Sequence, residues 1–353
     1  MKYGTMRENV LAMTAILPPT TILPASRQKN GSYAINTNAA ANTATTPNIV
    51  HCGTNALKSS AGYDLPALFT GSEGTLGIVT EITIKLHPIP SHIIAASCAF
   101  DDLHSAAEAV AMIRMMGVPV SRCELLDEMS VRAFNHSLAL GNGDCGGVAD
   151  ESFSQASHSE THKQQQSQQI LQLQPMKVKP MLFLEFAGHS ETSVMEDLSA
   201  AQNICIEFEG TNFASASDES TRQALWAARH RLYYSAIALR SGVGDDGGAT
   251  SRSTLVTDAC VPLSSFADVL TATARDVKEF GVVGPCFGHA GDGNFHCILP
   301  MLENDSDEYR KNVFQVNANL IERAMNVGGT CTGEHGVGYG KKKYLKVSDI
   351  LAF

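Results

Sequence analysis

The sequence lacks the features of two large classes of protein, membrane-spanning and nucleic-acid-binding. No apolar stretch reaches the roughly 18 residues that a helix needs to cross a bilayer. The longest run of basic residues is Lys341–Lys343, and the formal net charge is -10. A nucleic-acid-binding protein normally concentrates Lys and Arg on one surface. We therefore expect no transmembrane segment and no nucleic-acid partner.

Cysteine pairs with metal or redox spacing are also absent. The nine cysteines are an odd number and none of them forms a C-x-x-C pair, which indicates free thiols in a reducing compartment. The first residues show neither the apolar core of a signal peptide nor an Arg- and Ser-rich leader, so the sequence itself indicates no destination. Apolar residues make up 44% of the chain, which is enough for a sizeable core.

Two stretches, residues 26–56 and 141–179, have the composition of low-complexity sequence. The first is rich in Asn, Thr, Ala and Ser, and the second contains the run HKQQQSQQILQLQ. Such segments have no apolar periodicity and too little apolar surface to form a core. We expect both to be exposed, flexible insertions.

The rest of the chain predicts two domains that meet near Pro90. Ile78–Leu86 alternates apolar and polar residues as a half-buried strand does, and prolines follow it. Beyond residue 90 we expect strands and helices at Ile93–Phe100, Leu103–Met116, Val120–Leu126, Met181–Phe186, Asp218–Leu239, Thr254–Val261, Ser264–Phe280, Val282–Pro300 (a strand pair) and Asp307–Val327. This order predicts an α+β domain with helices on one face of an antiparallel sheet.

The segment GHAGDGNFH, residues 288–296, predicts a hairpin. Apolar strands flank a Gly-Asp-Gly-Asn turn, and folding back at that turn brings His289 close to His296. Two imidazoles at the mouth of a hairpin suit zinc, which in a catalytic site takes a third protein ligand and keeps one position open. A tight turn with two incidental histidines fits the same spacing.

A second glycine-rich segment, GGTCTGEHGVG at residues 328–338, carries one carboxylate and one imidazole. Glu334 can supply the third metal ligand, and His335 has a side chain suited to proton abstraction near neutral pH. Neighbouring residues of an extended segment point to opposite sides, so a bend is needed here, and glycine permits one. An ordinary glycine-rich loop after a helix fits the same residues.

Two weaker signals concern a substrate and a cofactor. Arg229, on a predicted helix, can hold a carboxylate with two parallel hydrogen bonds, although a solvated arginine beside His230 and Arg231 is the commoner outcome. The turn GSEGTLG, residues 71–77, lets the backbone approach a large cofactor closely. It is neither a G-x-G-x-x-G fingerprint nor a P-loop.

Together these motifs resemble one family. GYDLPALFTGSEGTLGIVTEITIKLHPIP resembles the end of the FAD-binding domain of vanillyl-alcohol-oxidase-like flavoproteins. GHAGDGNFHCILP and GGTCTGEHGVGYGKK resemble the two C-terminal signatures of its 2-hydroxyacid dehydrogenase branch. SRCELLDEMSVRAFN, LWAARHRLYYSAIALR and TDACVP are most similar to the cytochrome-linked D-lactate dehydrogenases. The resemblance covers nearly all of the chain except the two insertions.

The resemblance implies a fold and a set of site residues. Residues 1–90 would be the C-terminal part of a PCMH-type FAD-binding domain, and residues 91–353 a ferredoxin-like α+β substrate-capping domain. The implied roles are metal ligands His289, His296 and Glu334, catalytic base His335, substrate-binding Arg229, and FAD contacts at Gly4, Gly71, Ser72, Glu73, Gly74, Gly77 and Ile78.

The implied activity is flavin-dependent oxidation of a D-2-hydroxy acid, D-lactate to pyruvate, with FAD and a divalent metal, zinc, as cofactors. The family also implies an electron acceptor such as cytochrome c or another redox carrier, and a mitochondrial location. Relatives that act on D-2-hydroxyglutarate carry a basic residue at the position of Val256 and a polar one at that of Ile298, so these residues favour a monocarboxylate.

Two other functions compete with D-lactate oxidation. One is a dehydrogenase for D-2-hydroxyglutarate or glycolate, and the other is a non-catalytic paralogue that keeps only the metal site. Members of the family begin well before Tyr3 and continue beyond Phe353, so we expect a chain truncated at both ends that holds FAD poorly.

Overall fold

The computed structural model describes residues 2–18, 26–27, 33–34, 48–139, 175–240 and 252–345. The chain divides into two compact units, Tyr3–Pro88 with Leu345–Phe353, and Met1–Lys2 with Ile89–Tyr344. Most of the two expected insertions lies outside the described residues. The first insertion is shorter than expected at its C-terminal end, because Asn48–Gly53 forms a strand.

The unit that contains Tyr3–Pro88 is built on a three-stranded antiparallel sheet. Strands β1 (Val10–Leu17), β4 (Asn48–Gly53) and β5 (Ile78–Ile84) lie in the order β4-β1-β5. The other elements described here are helices α1 (Met6–Asn9) and α2 (Leu65–Phe69) and the paired strands β2 (Ser26–Arg27) and β3 (Tyr33–Ala34). All seven residues of β5 are exposed, so the half-buried strand expected there is wrong. The small core of this unit surrounds β1, and β5 lies at the sheet edge.

The unit that contains Ile89–Tyr344 is built on an eight-stranded sheet with the order β10-β13-β12-β7-β8-β6-β9, and β11 also pairs with β13. Its strands are β6 (His92–Ala99), β7 (Val120–Leu126), β8 (Met181–Gly188), β9 (Thr211–Ala216), β10 (Arg252–Val256), β11 (Ala259–Cys260), β12 (Cys286–Gly288) and β13 (Asn294–Leu302). Its helices are α3 (Leu103–Met115), α4 (Glu128–Ala139), α5 (Glu191–Glu207), α6 (Glu219–His230), α7 (Leu232–Ala238), α8 (Leu263–Glu279), α9 (Asp307–Asn326) and α10 (Gly338–Lys341). Every pair of strands in this sheet is antiparallel, as expected.

Helices cover both faces of this sheet, and the expectation of a single covered face is wrong. Successive residues of a strand face opposite sides of the sheet. On β8, Leu182 and Leu184 join the large core formed with α3, α5, α8 and α9, whereas Phe183 joins a second core formed with α4, α6 and α7. The continuous apolar run of this strand is what burial on both faces requires.

Most predicted boundaries in this unit agree with the structure to within a few residues. Asp102 caps α3, accepting a hydrogen bond from the Ser105 amide at 2.9 Å, and Gly117 follows with a left-handed φ of 72°. The predicted helix 218–239 is two helices, because Arg231 ends one and begins the next. The sequence analysis missed α4, α5, β9 and the one-turn helix α10. In the described part of the chain, no helix combines the length and the apolar character that a bilayer crossing requires.

Candidate metal and substrate site

The predicted hairpin brings His289 and His296 together. Phe287 of β12 lies opposite His296 of β13, and a short 3-10 turn, Ala290–Asp292, joins the strands. Gly293 closes the turn with a φ of 75°, and the Val261 carbonyl oxygen lies 2.1 Å from where a Cβ would stand, so only glycine fits there. The two imidazole centroids lie 6.4 Å apart at a near-perpendicular 86°.

The second glycine-rich segment folds against this hairpin. Thr330 makes an isolated β-bridge with Cys260, which places the residues after it beside β13. The Glu334 carboxylate lies 2.8 Å from Nε2 of His296 and 3.5 Å from Nε2 of His289. The His335 ring stacks on the His296 ring with centroids 4.8 Å apart, and its Nε2 lies 3.5 Å from Glu334. All four predicted metal and base residues therefore form one cluster.

The two hairpin imidazoles are held in the orientation that metal binding needs. Nδ1 of His296 lies 3.0 Å from the Thr257 carbonyl oxygen, and Nδ1 of His289 contacts the Glu124 carboxylate. Because both partners only accept hydrogen bonds, each Nδ1 donates, and Nε2 is the atom of each ring that faces Glu334. Both Nε2 atoms therefore converge on the Glu334 carboxylate. A divalent metal fits this set of two imidazoles and one carboxylate.

Glu124 is a buried residue that the sequence analysis did not select. Its side chain, 5% exposed, accepts a hydrogen bond from Nε of Arg229 at 2.8 Å through one oxygen and contacts His289 through the other. The Arg229 guanidinium also lies 5.0 Å above the Phe287 ring. One carboxylate thus connects the predicted substrate-binding arginine to a predicted metal ligand. A charged residue within a buried strand was the available signal, since such a charge is rarely tolerated without partners.

Asp258 is the second residue that the sequence analysis missed. It lies between β10 and β11, is 2% exposed, and belongs to a group with His296, Glu334 and His335 whose potential ligand atoms all lie within 4.8 Å of one another. It also accepts a hydrogen bond from the Asn294 side chain at 2.9 Å. Its place in the segment TDACVP, inside the resemblance, was the available signal.

The electrostatics of the cluster favour ionised carboxylates. A hydrogen bond to His296 is the main cause that lowers the pKa of Glu334, and the charge of His289 adds to it. Burial raises the pKa of Glu124, but the hydrogen bond to His289 and the charge of Arg229 outweigh it, so this pKa is also lowered. The same contact with Glu124 raises the pKa of His289. Two carboxylates that stay charged at neutral pH suit a bound cation.

The predicted flavin turn, residues 71–77, lies in the unit that contains Tyr3–Pro88. Gly71 and Gly74 have left-handed φ values of 86° and 76°, and Glu73, a non-glycine residue, has a φ of 50°. A Cβ at Gly74 would meet nothing within 4 Å, whereas one at Gly77 would lie 2.7 Å from the Ile16 carbonyl oxygen. Gly77 is therefore required by packing, and Gly71 and Gly74 leave the backbone accessible to a large cofactor. The remaining predicted contacts in this unit are Gly4, Ser72 and Ile78.

Comparison with known proteins identifies the family. Residues 89–349 match the family described as FAD linked oxidases, C-terminal domain. The chain belongs to the FAD-linked oxidase family. The family resemblance read from the motifs is thereby confirmed, and so is the α+β class of the fold. Membership supports FAD as a cofactor.

Three individual proteins illustrate the similarity. The chain is 35% identical to "Probable D-lactate dehydrogenase, mitochondrial" of Danio rerio, over 98% of this chain and 56% of that protein. It is 32% identical to "D-lactate dehydrogenase [cytochrome], mitochondrial" of Arabidopsis thaliana, over 98% of this chain and 48% of that protein. A solved structure of alkyldihydroxyacetonephosphate synthase shares the fold, with a TM-score of 0.54 and 15% identity over 93% of this chain and 50% of that one. The chain thus spans about half the length of these relatives.

Proposed function

We propose that this protein is a metal-assisted, FAD-dependent dehydrogenase that oxidises D-lactate to pyruvate. The observation that carries the proposal is the convergence of the Nε2 atoms of His289 and His296 on the Glu334 carboxylate. The names of the two D-lactate dehydrogenases that it resembles support the choice of substrate.

Arg229 is the residue proposed to bind the substrate carboxylate. Its hydrogen bond to Glu124 uses Nε, and within the described residues no ion pair engages its two terminal nitrogens. Those nitrogens can hold a carboxylate with parallel hydrogen bonds. Because Glu124 also contacts His289, the carboxylate end of the substrate and the metal ligand are positioned by one buried side chain.

The surroundings of Arg229 favour a monocarboxylate. The ring of Phe287, below its guanidinium, belongs to an apolar cluster with Ile298 and Val256. The last two residues lie opposite each other on β13 and β10. An apolar pair cannot neutralise a second carboxylate, so a short acid such as lactate is favoured over a dicarboxylate.

His335 is proposed as the base that removes the hydroxyl proton of the substrate. Its Nε2 lies beside Glu334 and its ring rests on His296, so the imidazole is held at the cluster that would bind the hydroxyl oxygen. A metal ion held by His289, His296 and Glu334, zinc in our proposal, would polarise that hydroxyl. FAD, in contact with the turn at residues 71–78, would accept the hydride.

We further propose a mitochondrial location and a redox carrier such as cytochrome c as electron acceptor. The support is the printed names of the two relatives, both of which include "mitochondrial" and one of which includes "cytochrome".

The proposal is tested with the protein supplied with FAD and zinc, by following reduction of an artificial dye. We expect D-lactate to give a higher kcat/KM than L-lactate, glycolate or D-2-hydroxyglutarate, and a chelator to abolish the activity until zinc is restored. Arg229→Lys should raise KM, because lysine lacks the planar fork, and Arg222→Lys on the same helix serves as the control. Preference for D-2-hydroxyglutarate, or activity unaffected by complete metal removal, would contradict the proposal.

A further inference from the structure

Asp258 has an unusual set of hydrogen-bond donors on a single oxygen. Its Oδ2 accepts from the amides of three successive residues, Gly333 and Glu334 at 3.0 Å and His335 at 2.8 Å. The Thr332 hydroxyl donates to the same oxygen at 2.7 Å. In an extended segment successive amides point to opposite sides, so three amides on one oxygen require a tightly curved backbone of the anion-binding type.

This curvature explains how adjacent side chains reach one cluster. An extended backbone would send Glu334 and His335 to opposite sides. In the structure the His335 Nε2 lies 3.5 Å from the Glu334 carboxylate, and both residues lie against His296. The bend that the sequence analysis required is therefore present, and the Asp258 carboxylate lies at its centre.

The other oxygen of Asp258 connects to the hairpin. Oδ1 accepts from the Asn294 side chain at 2.9 Å and lies 3.7 Å from Nδ1 of His296. Lys341 adds a positive charge, with its Nζ 3.3 Å from Oδ2. A Cβ at Gly333 would lie 2.0 Å from Nδ2 of the Asn294 side chain, so the loop lies too close to the hairpin for any residue but glycine at this position.

The same contacts argue against Asp258 as a metal ligand. A carboxylate offers about four lone-pair sites, and those of Asp258 already face six donors: Thr332, Gly333, Glu334, His335, Lys341 and Asn294. It also lies on the Nδ1 edge of His296, whereas Glu334 lies on the Nε2 edge. Asp258 therefore stands behind the metal-binding group.

We propose that Asp258 is a positioning residue, whose carboxylate curves the segment 332–335 so that Glu334 and His335 meet the two hairpin histidines. The proposal deepens the proposed function and rests on it. Asp258 itself touches neither substrate nor cofactor in this role. It acts by fixing the backbone on which the third metal ligand and the base are carried.

Asp258→Asn in the full chain tests this role, because the size is kept and the negative charge is lost. The new amide group must face either the three loop amides or the Asn294 donor, so one of the two connections fails. We expect the zinc Kd, measured by competition with a chelating dye, to rise about 10–100-fold, as it does when partners of metal ligands are removed. Hydrogen exchange of the peptide covering residues 330–337 should become faster than in the wild type.

Asp276→Asn is the matched control. Asp276 is a buried carboxylate that bonds Asn319 and Arg323, and none of these residues belongs to the site. We expect it to lower Tm while leaving zinc affinity and exchange at 330–337 unchanged. The proposal is overturned if Asp258→Asn keeps wild-type zinc affinity and exchange, or if Asp276→Asn weakens zinc binding equally. If the wild type itself bound no zinc, the proposed function would fail, and the exchange comparison alone would then support or overturn the role of Asp258.

Discussion

His335 lies beside Glu334 much as His289 does. Its Nε2 lies as close to Glu334 as that of His289 does, 3.5 Å in both cases. The two imidazoles differ at Nδ1, which in His289 contacts the Glu124 carboxylate. A metal-ligating histidine commonly carries such a partner on its other nitrogen. We therefore propose that His289 binds the metal and that His335 transfers the proton.

The prediction from this assignment compares two alanine variants. His335→Ala should lower turnover about 10²–10⁴-fold, as removal of a general base does, with zinc content unchanged. His289→Ala should lose the metal together with activity, because three protein ligands become two. Elemental analysis of both variants gives the result. Loss of zinc in His335→Ala with retention in His289→Ala would exchange the two roles.

Individual site residues were predictable where the chemistry lay within one motif. His289 and His296 lie seven residues apart on a hairpin, and Glu334 and His335 are neighbours. Glu124 and Asp258 were not predictable in this way, because their contacts span 165 residues to His289 and 77 residues to His335. Only the three-dimensional fold brings those segments together, and a periodic pattern contains no information about pairing at that range.

At the scale of elements, periodicity located strands and helices better than it assigned their faces. The run Met181–Phe186 predicted a strand, and helices cover both of its sides where a single covered face was expected. The helix Glu128–Ala139 was missed because Ser, Asn and His interrupt its apolar stripe, although Asp127 is an N-cap signal and accepts a hydrogen bond from the Ser130 amide at 2.7 Å. The strand β5 was expected to be half buried and is exposed at every residue. Alternation predicts burial only when another element covers the apolar side.

An ion pair between the residues that follow α7 and β13 predicts how the stability of the fold depends on pH. Arg240, just after α7, makes a two-fold ion pair with Asp305, at 2.7 and 2.6 Å, and its guanidinium lies 4.0 Å above the Tyr309 ring. The hydrogen bond from Arg240 is the main cause that lowers the pKa of Asp305. Because the pKa of Asp305 is lower in the folded state, this pair stabilises the fold at pH values above the unfolded-state pKa of about 3.9. The contribution is lost as pH falls from that value through the lower folded-state pKa.

Asp305→Asn should therefore lower the free energy of unfolding by about 1.5–3 kcal/mol near pH 7, the range for a hydrogen bond to a charged group. The difference from the wild type should shrink as pH falls from 5 towards 2, since the wild-type carboxyl then becomes neutral, like the amide of the variant. Urea unfolding at several pH values measures both quantities. Asp307→Asn, at an acidic position in the first turn of α9, is the control. A difference that stayed constant with pH would show that the charge of Asp305 is not the cause.

On the scale of the whole chain, the candidate functions divide between the two units. Every proposed metal, base and substrate residue lies within Ile89–Tyr344, and the flavin turn lies within Tyr3–Pro88. Each motif is local, so the sequence alone places it in one part of the chain. The cores differ in size: among the described residues, the core around β1 contains Met13, Ala15, Leu17, Cys52 and Phe69, whereas extensive apolar clusters lie on both faces of the large sheet. A small core supports less stability against local opening.

Two phenylalanine variants test whether metal binding depends on one unit. Phe69→Ala removes a large part of the small core, and amides of β1, β4 and β5 should exchange faster while zinc affinity stays at the wild-type value. Phe266 is fully buried and packs edge to face on Phe295, with centroids 5.9 Å apart, directly before His296. Phe266→Ala should cost about 3–5 kcal/mol and weaken zinc binding, because the cavity lies beneath the hairpin. Equal loss of zinc affinity in both variants would show that the metal site depends on the whole chain.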